Sequence, residues 1–211
     1  MVTLDIISDL VCPWCYIGKT LLDRALESDA SQPFTVAWHP YQLNPEIPEG
    51  GIPYADFLRL KFGAPERASE VLVKVTEAAK AAGAVIDYVG ITREPNTLDA
   101  HRLIHWAGLE GRQTPVVSAL FRAHWREGRD IGSHDVLADI AGETGLDRKM
   151  ILRLLDSDAD REEIRARIQH TRDRGVQGVP TFVIADTHVL TGAQPVEVWA
   201  DVIQQIKAQL T

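Results

Sequence analysis

The sequence predicts an α/β fold in which a long helical block interrupts a strand-bearing frame, and three observations predict it. Apolar residues follow strand patterns at both ends of the chain, they switch to a helical period through its middle, and a CxxC sits where the first strand gives way to the first helix. At 211 residues, the chain is one large domain or a smaller one carrying an insertion. Its 45% apolar and 25% charged residues are the composition of a soluble globular protein. No apolar run approaches the ~18 residues that a membrane-spanning helix needs.

Residues 2–7 read as a strand, and a helix starts at Pro13 with Leu21, Leu22, Ala25 and Leu26 along it. Phe34, Val36 and Trp38 alternate in a second strand over 34–41, which Pro45, Pro48, Gly50, Gly51 and Pro53 punctuate. A helix over 65–82 puts Val71, Leu72, Val75, Ala78, Ala79 and Ala82 on one stripe, and Gly83 stops it. Further helical stripes follow: Ala100, Leu103, Ile104 and Ala107; Val117, Leu120, Phe121 and His124; Val136, Leu137, Ile140 and Ala141; then Met150 to Leu155 and Ile164 to Ile168. Thr181–Ile184 and Val189–Thr191 form a hairpin about a turn at Asp186, Thr187 and His188. A last helix carries Trp199, Val202, Ile203, Ile206 and Leu210 on one face after Pro195. The stretch 54–174 is too long for a loop and is expected to be a helical insertion, leaving 1–53 and 175–211 as a discontinuous frame.

Lys and Arg number 22 against 30 Asp and Glu, a net charge of −8 that disfavours nucleic acid and anionic membrane surfaces as partners. Cys12 and Cys15 are the only cysteines, so no disulfide framework holds the fold. Met1-Val2-Thr3-Leu4-Asp5 has no basic region followed by an apolar stretch, and a cytoplasmic location is expected. In that reducing compartment a CxxC is catalytic, redox-sensing or metal-binding rather than structural.

With Pro13 at the first helical position, Cys12 falls at the N-cap, where unpaired N–H groups and the helix dipole favour a thiolate. Cys15 is one turn on, within reach of the first sulfur and expected to be the more buried. The expected roles follow: Cys12 attacks or accepts a disulfide, and Cys15 resolves the mixed disulfide. A zinc site would need about two more ligands. His101 and His105 stand four residues apart but lack the glutamate of HExxH, so they are expected at the edge of an apolar stripe and no metal is expected. Gly178-Val179-Pro180-Thr181-Phe182 precedes the hairpin. From the residues alone, Pro180 either closes a loop in trans or forms a cis bond that leaves the preceding backbone free to pair with an extended peptide.

Cys12-Pro13-Trp14-Cys15-Tyr16-Ile17-Gly18, Asn96-Thr97 with Ala100-His101-Arg102-Leu103, Gly178-Val179-Pro180-Thr181-Phe182, and Gly192-Ala193-Gln194-Pro195 occur together. Across nearly the whole chain, this set resembles the DsbA-like thioredoxin-fold oxidoreductases of the FrnE branch. The resemblance implies a thioredoxin-like domain over 1–53 and 175–211 with a helical insertion over 54–174. It also implies a nucleophilic Cys12, a resolving Cys15, a cis Pro180 facing them and a Val179 that contacts substrate backbone. Pro13-Trp14 between the cysteines resembles the Pro-aromatic pair of glutaredoxins, which leaves the redox poise open.

The chain departs from that pattern at one place. Many thioredoxin-like oxidoreductases carry a buried acid six residues before the nucleophile, and here that position is Ile6. Asp5 and Asp9 are the nearest acids; both, like Lys19, are expected to be ordinary surface or turn residues. Ser133-His134-Asp135 is no hydrolase triad, because adjacent side chains at a helix start cannot form the relay, and Ser133 is expected as an N-cap. No phosphate-cradling glycine motif is present. Tyr41 and Tyr54 border a stretch expected to be a plain connector.

The leading expectation is a cytoplasmic thiol-disulfide oxidoreductase acting on protein or small-molecule thiols, with Pro13, Trp14, Val179 and Pro180 at its substrate site. No cofactor is expected; glutathione or a thioredoxin-type reductant is open as the redox partner. Two alternatives stand beside it. One is a glutathione-dependent isomerase or transferase of the kappa type, against which the intact cysteine pair argues. The other is a chaperone-like binding module with the cysteines as a redox switch.

Overall fold

The computed structural model describes residues 1–29 and 31–210, without the side chains of 209 and 210. Its elements are β1 (Val2–Ser8), α1 (Pro13–Glu27), β2 (Phe34–Pro40), β3 (Ile52–Pro53), α2 (Tyr54–Phe62), α3 (Pro65–Ala82), β4 (Arg93–Glu94), α4 (Leu98–Leu109), α5 (Gln113–Glu127), α6 (His134–Glu143), α7 (Arg148–Leu155), α8 (Arg161–Asp173), β5 (Thr181–Ile184), β6 (His188–Thr191) and α9 (Val196–Leu210). This is the expected α/β architecture, with a sheet built from both ends of the chain and helices between. No helix among the described residues is long and apolar enough to cross a membrane.

Alternation fixes the register of the sheet. β1 runs parallel to β2, with Leu4 opposite Val36, and antiparallel to β5, with Ile6 opposite Phe182. β6 pairs antiparallel with β5, giving the order β2-β1-β5-β6. Leu4, Ile6, Phe182 and Ile184 join Leu22 and Ala25 of α1 and Trp199, Ile203 and Ile206 of α9 in one buried cluster. Each large side chain buried there contributes roughly 1.5–3 kcal/mol. Phe182 meets the edge of Trp199 at a centroid distance of 4.8 Å. Leu210, expected on the same helix face, has its side chain outside the described residues.

β2 is an edge strand, whose free backbone groups need a cover. The Gln113 side chain supplies it: its Oε1 accepts the Trp38 N–H at 2.8 Å and its Nε2 donates to the Trp38 carbonyl at 3.1 Å. The Trp38 indole N–H donates to Thr114 Oγ1 at 3.0 Å, so the start of α5 is clamped to the sheet.

Within the helical block, α4 and α5 bury Ala100, Leu103, Ala107, Val116, Val117, Leu120 and Phe121. Arg102, fully buried among them, is satisfied by the end of α7 and the loop that follows it. Its guanidinium donates to the carbonyls of Leu154, Leu155, Ser157 and Ala159, and pairs with Asp99 at 2.8 Å. His134, at the start of α6, completes this cluster, with Nε2 3.0 Å from Asp99 Oδ2 and Nδ1 2.8 Å from Asp156 Oδ1. Ser133 is the N-cap of α6 as expected, without a side-chain capping bond.

Several expectations need correction. Tyr54–Phe62 is a helix that the sequence reading missed, as is the two-stranded sheet pairing Ile52 with Glu94. Val71, expected on the buried stripe of α3, is 38% exposed, because α3 buries only the narrower line Ala68, Val75, Ala79 and Ala82. The hairpin turn lies one residue earlier, at Ala185 and Asp186 with φ of 51° and 59°, and His188 is already in β6.

Two predictions follow from the polar cluster. Arg102→Met leaves Asp99 and four carbonyls short of their donor, and is expected to destabilise by roughly 3–5 kcal/mol, read from urea unfolding midpoints. Burial works against a charge on His134, but its bonds to Asp156 and Asp99 and their charges outweigh this and raise its pKa. Its stabilisation is therefore complete below the ordinary histidine value and is lost as pH rises through the raised one. Melting midpoints of wild type and His134→Gln are expected to converge on the alkaline side; a gap that stays constant with pH refutes the charge pairing.

Candidate active site

Between Ser8 and Pro13 the chain leaves the sheet in a short turn and enters α1, with Pro13 at its first position. Cys12 is the N-cap residue, at φ −88° and ψ 112°, as the sequence predicts. Its Sγ lies 3.5 Å from the carbonyl oxygen of Val179, in the loop before β5. The Val179–Pro180 peptide is cis. α1 reaches this loop because residue 18 is glycine: a Cβ there would stand 3.2 Å from Pro180 Cγ and 3.4 Å from the Phe182 ring. Cys12, Cys15, Val179 and Pro180 are thus brought together, while the Trp14 side chain is 42% exposed beside them.

The two sulfurs are unbonded thiols. They do not differ in burial as expected, since Cys12 is 3% and Cys15 2% exposed. Their difference lies in their neighbours. Burial raises the Cys15 pKa well above its ordinary value, and the hydrogen bond and charge of Cys12 raise it further, while the Ser8 hydroxyl and the Asp9 backbone pull it down. Cys12 instead sits at the helix end against Val179.

Two residues expected at the surface are buried. Asp9 is fully enclosed; its Oδ2 accepts the Leu43 N–H at 2.7 Å and its backbone carbonyl accepts the Cys12 N–H at 3.2 Å. Lys19 is 7% exposed and pairs with Asp23 at 2.5 Å along α1. Asp5 is half-buried and pairs with His39 at 2.7 Å.

The sequence reading also missed Glu94, a buried acid of β4. Burial, joined by the charge of Asp9, pushes its pKa up to about 8 against the opposing effects of Lys61 and Asn44. His124 is held down to about 4 by burial, against the Asp9 charge, and its Nε2 has no hydrogen-bond partner among the described residues.

The histidine pair considered for metal is split. His101 is buried and donates from Nε2 to the Tyr41 carbonyl at 2.9 Å, while His105 faces Asp160 and Glu163 with ligand atoms within 4.8 Å. In that group Asp160 already accepts the Trp106 indole N–H at 2.6 Å and Glu163 pairs with Arg167, and neither cysteine belongs to it. Tyr41 is buried, with the Arg172 guanidinium 4.8 Å above its ring.

A groove of about 920 Å³ runs along Gly178–Thr181, with His39, His170 and Arg174 on its wall. A second hollow, about 550 Å³, lies between α2 and α3 and holds no group of the cysteine turn.

A family model for the DSBA-like thioredoxin domain matches residues 3–204. YwbO of Bacillus subtilis (strain 168), itself uncharacterized, is 26% identical over 203 residues, spanning 96% of each chain. A probable DsbA oxidoreductase from Streptomyces coelicolor superposes with a TM-score of 0.85 at 28% identity, covering 100% of this chain and 92% of its own. The cytosolic disulfide reductase DsbM from Pseudomonas aeruginosa, solved with GSH, superposes with a TM-score of 0.67 at 24% identity over 97% of this chain and 99% of its own.

The lowered pKa of His124 has a consequence for acid stability. The unfolded chain binds a proton here from pH ~6.5 downwards, whereas the folded chain resists until about 4. Stability tied to this residue is complete above the ordinary value and is lost as pH falls towards the folded one. His124→Phe keeps a ring beside Trp125 and is expected to remove about 3 kcal/mol of the loss between pH 7 and 4. Chemical denaturation of both proteins at those two pH values measures it, and equal losses would refute the assignment.

Proposed function

The chain belongs to the DSBA-like thioredoxin domain family, and from that premise we propose that it is a thiol-disulfide oxidoreductase in which Cys12 forms mixed disulfides and Cys15 resolves them. One observation carries the reading: Cys12 caps α1 and faces the Val179 carbonyl at 3.5 Å, with Cys15 one turn behind it. In the oxidising direction, a substrate thiolate attacks the Cys12 sulfur of the Cys12–Cys15 disulfide, and Cys15 leaves with the electron pair and takes a proton. A second substrate thiolate then attacks the substrate sulfur of the mixed disulfide, releasing Cys12 as the leaving thiolate. In the reducing direction the Cys12 thiolate attacks a substrate disulfide, and Cys15 attacks Cys12 to expel the remaining substrate thiolate.

Pro13, Trp14, Val179 and Pro180 form the substrate contact in this reading, and the chain is a member of the FrnE branch. It divides into a thioredoxin-like unit over 1–53 and 175–211 and a helical insertion over 54–174. The substrates are protein or small-molecule thiols and disulfides. No cofactor takes part; glutathione or a thioredoxin-type reductant recycles the pair in the cytoplasm. The likeness to the cytosolic reductase DsbM solved with GSH supports glutathione as the first partner to test.

Incubation of Cys15→Ser with oxidised glutathione is expected to trap one glutathione on Cys12, seen by mass. Wild type is expected to cycle to the internal disulfide and Cys12→Ser to trap none. If wild type never cycles, or if client binding persists unchanged without Cys12, the enzyme reading gives way to a binding module.

A further inference from the structure

His105 is the member of the α4 histidine pair without a polar partner. His101 spends its Nε2 proton on the Tyr41 carbonyl, whereas His105, half-buried one turn further along α4, makes no hydrogen bond and no ion pair among the described residues. Across from it stands the first turn of α8. Asp160 caps that helix and Glu163 lies in its first turn, and one ligand atom from each of His105, Asp160 and Glu163 lies within 4.8 Å of the others.

Two surface carboxylates alone hold no ion selectively, but these two are set apart by their surroundings. Asp160 is half-buried, enters no ion pair among the described residues and accepts the Trp106 indole N–H through Oδ2 at 2.6 Å, which leaves Oδ1 for a second partner. The donor is fixed in turn, since Trp106 is buried with the Arg102 guanidinium 4.9 Å from its ring. Hydrogen bonds of this kind orient the carboxylates of metal sites. Glu163 gives one oxygen, Oε1, to Arg167 at 2.6 Å and keeps Oε2. The other charges at this end of α8 are engaged elsewhere: Glu162 pairs with Arg165, and Arg161 with Glu49, Asp99 and Asp158. Two carboxylates thus face one neutralising cation, and a partly buried excess of negative charge favours a second. The positive end of α8 opposes a cation here, an effect that falls off within a turn and that the two carboxylates outweigh.

We infer that His105, Asp160 and Glu163 bind one divalent transition-metal ion of the zinc class, at a site apart from Cys12 and Cys15. One imidazole nitrogen and two carboxylate oxygens are a three-ligand set that zinc accepts, with water in the fourth position. The imidazole turns the preference away from Mg²⁺ and Ca²⁺, which take oxygen ligands. The ion joins α4 to the start of α8. The two helices also meet through Leu98, Ile164 and Ile168, an apolar cluster separate from the main core, so bound metal stabilises a contact that few apolar side chains support. The site does not depend on the oxidoreductase reading.

The test is calorimetric titration with Zn²⁺ of Cys12→Ser/Cys15→Ser, in which the thiols cannot compete as ligands. One ion per chain is expected, with no binding heat from Mg²⁺ at the same concentration, and Zn²⁺ is expected to raise the melting midpoint. In that background His105→Gln and Glu163→Gln are each expected to weaken Zn²⁺ binding by about tenfold or more, and Trp106→Phe, which keeps a ring but loses the N–H, by a similar factor. His188→Gln removes an exposed histidine of β6 and is expected to leave binding unchanged. Without metal, His105→Gln is expected to melt with its parent, which separates a lost ligand from a lost fold; Glu163 is exposed, so its variant carries the test if His105→Gln melts lower. Co²⁺ in place of Zn²⁺ is expected to give a visible absorption band in the parent that His105→Gln lacks. No bound Zn²⁺ in the double-serine background, binding that His105→Gln and Glu163→Gln leave intact, or an equal loss in His188→Gln overturns the site.

Discussion

Residues 9–12 belong to neither a strand nor a helix, so their buried backbone groups must find partners outside regular structure. The turn is held on three sides. The Trp125 indole donates to the Leu10 carbonyl at 3.0 Å, the Tyr41 N–H donates to the carbonyl of Ser8 just before the turn at 3.1 Å, and the Leu43 N–H donates to the Asp9 carboxylate at 2.7 Å. Two donors follow β2 and the third belongs to α5, so the sheet and the helical block meet at this turn. Each such bond contributes roughly 0.5–1.5 kcal/mol net. Their larger effect is positional, since together they set where α1 begins and therefore where Cys12 points.

The same economy of side chains shapes the helical block. Asn96 donates to the Ile47 carbonyl at 2.6 Å and accepts from Gln42 and from the Leu98 N–H, tying the start of α4 to the loop after β2. One turn later Ala100 and Leu103 enter the core, His101 donates to the Tyr41 carbonyl, and Arg102 collects the carbonyls between α7 and α8. Apolar residues could fill that volume at lower desolvation cost, as buried ion pairs seldom stabilise more than a well-packed core does. What Arg102 adds is a tie between elements: one guanidinium holds two carbonyls at the end of α7 and two of the loop that follows it.

Periodicity made most of this legible. α3 was readable from Pro65 to its end at Gly83, and α1 from its proline, because stripe, start and stop signals agreed. β3 and β4 were not, since two-residue strands have no period to detect. α2 begins directly after a proline-rich stretch and has no fully buried residue, so its pattern carries no strong stripe. The cysteine pair and the Val179–Pro180 loop were legible as motifs, but the acids beneath them were not. Asp9 reads as a surface residue because burial of a charge is decided by tertiary partners, here the Leu43 amide, whereas Lys19 pairs with Asp23 of its own helix and is buried by what packs over α1. Glu94 stands between Arg93 and Pro95, where nothing in the local pattern marks it as buried.

The asymmetry of the two cysteines shows why that missing information bears on chemistry. Both sulfurs are nearly sealed, so exposure does not decide which one meets substrate. In the proposed reaction position does: Cys12 stands at the end of α1, where free N–H groups gather, and Cys15 lies within the first turn, where burial and the neighbouring Cys12 favour the neutral thiol. For the proposed reaction, a substrate sulfur reaching Cys12 must displace the Val179 carbonyl from its 3.5 Å contact. The loop bearing Val179 is packed on α1 at Gly18, and Trp14 is exposed beside it.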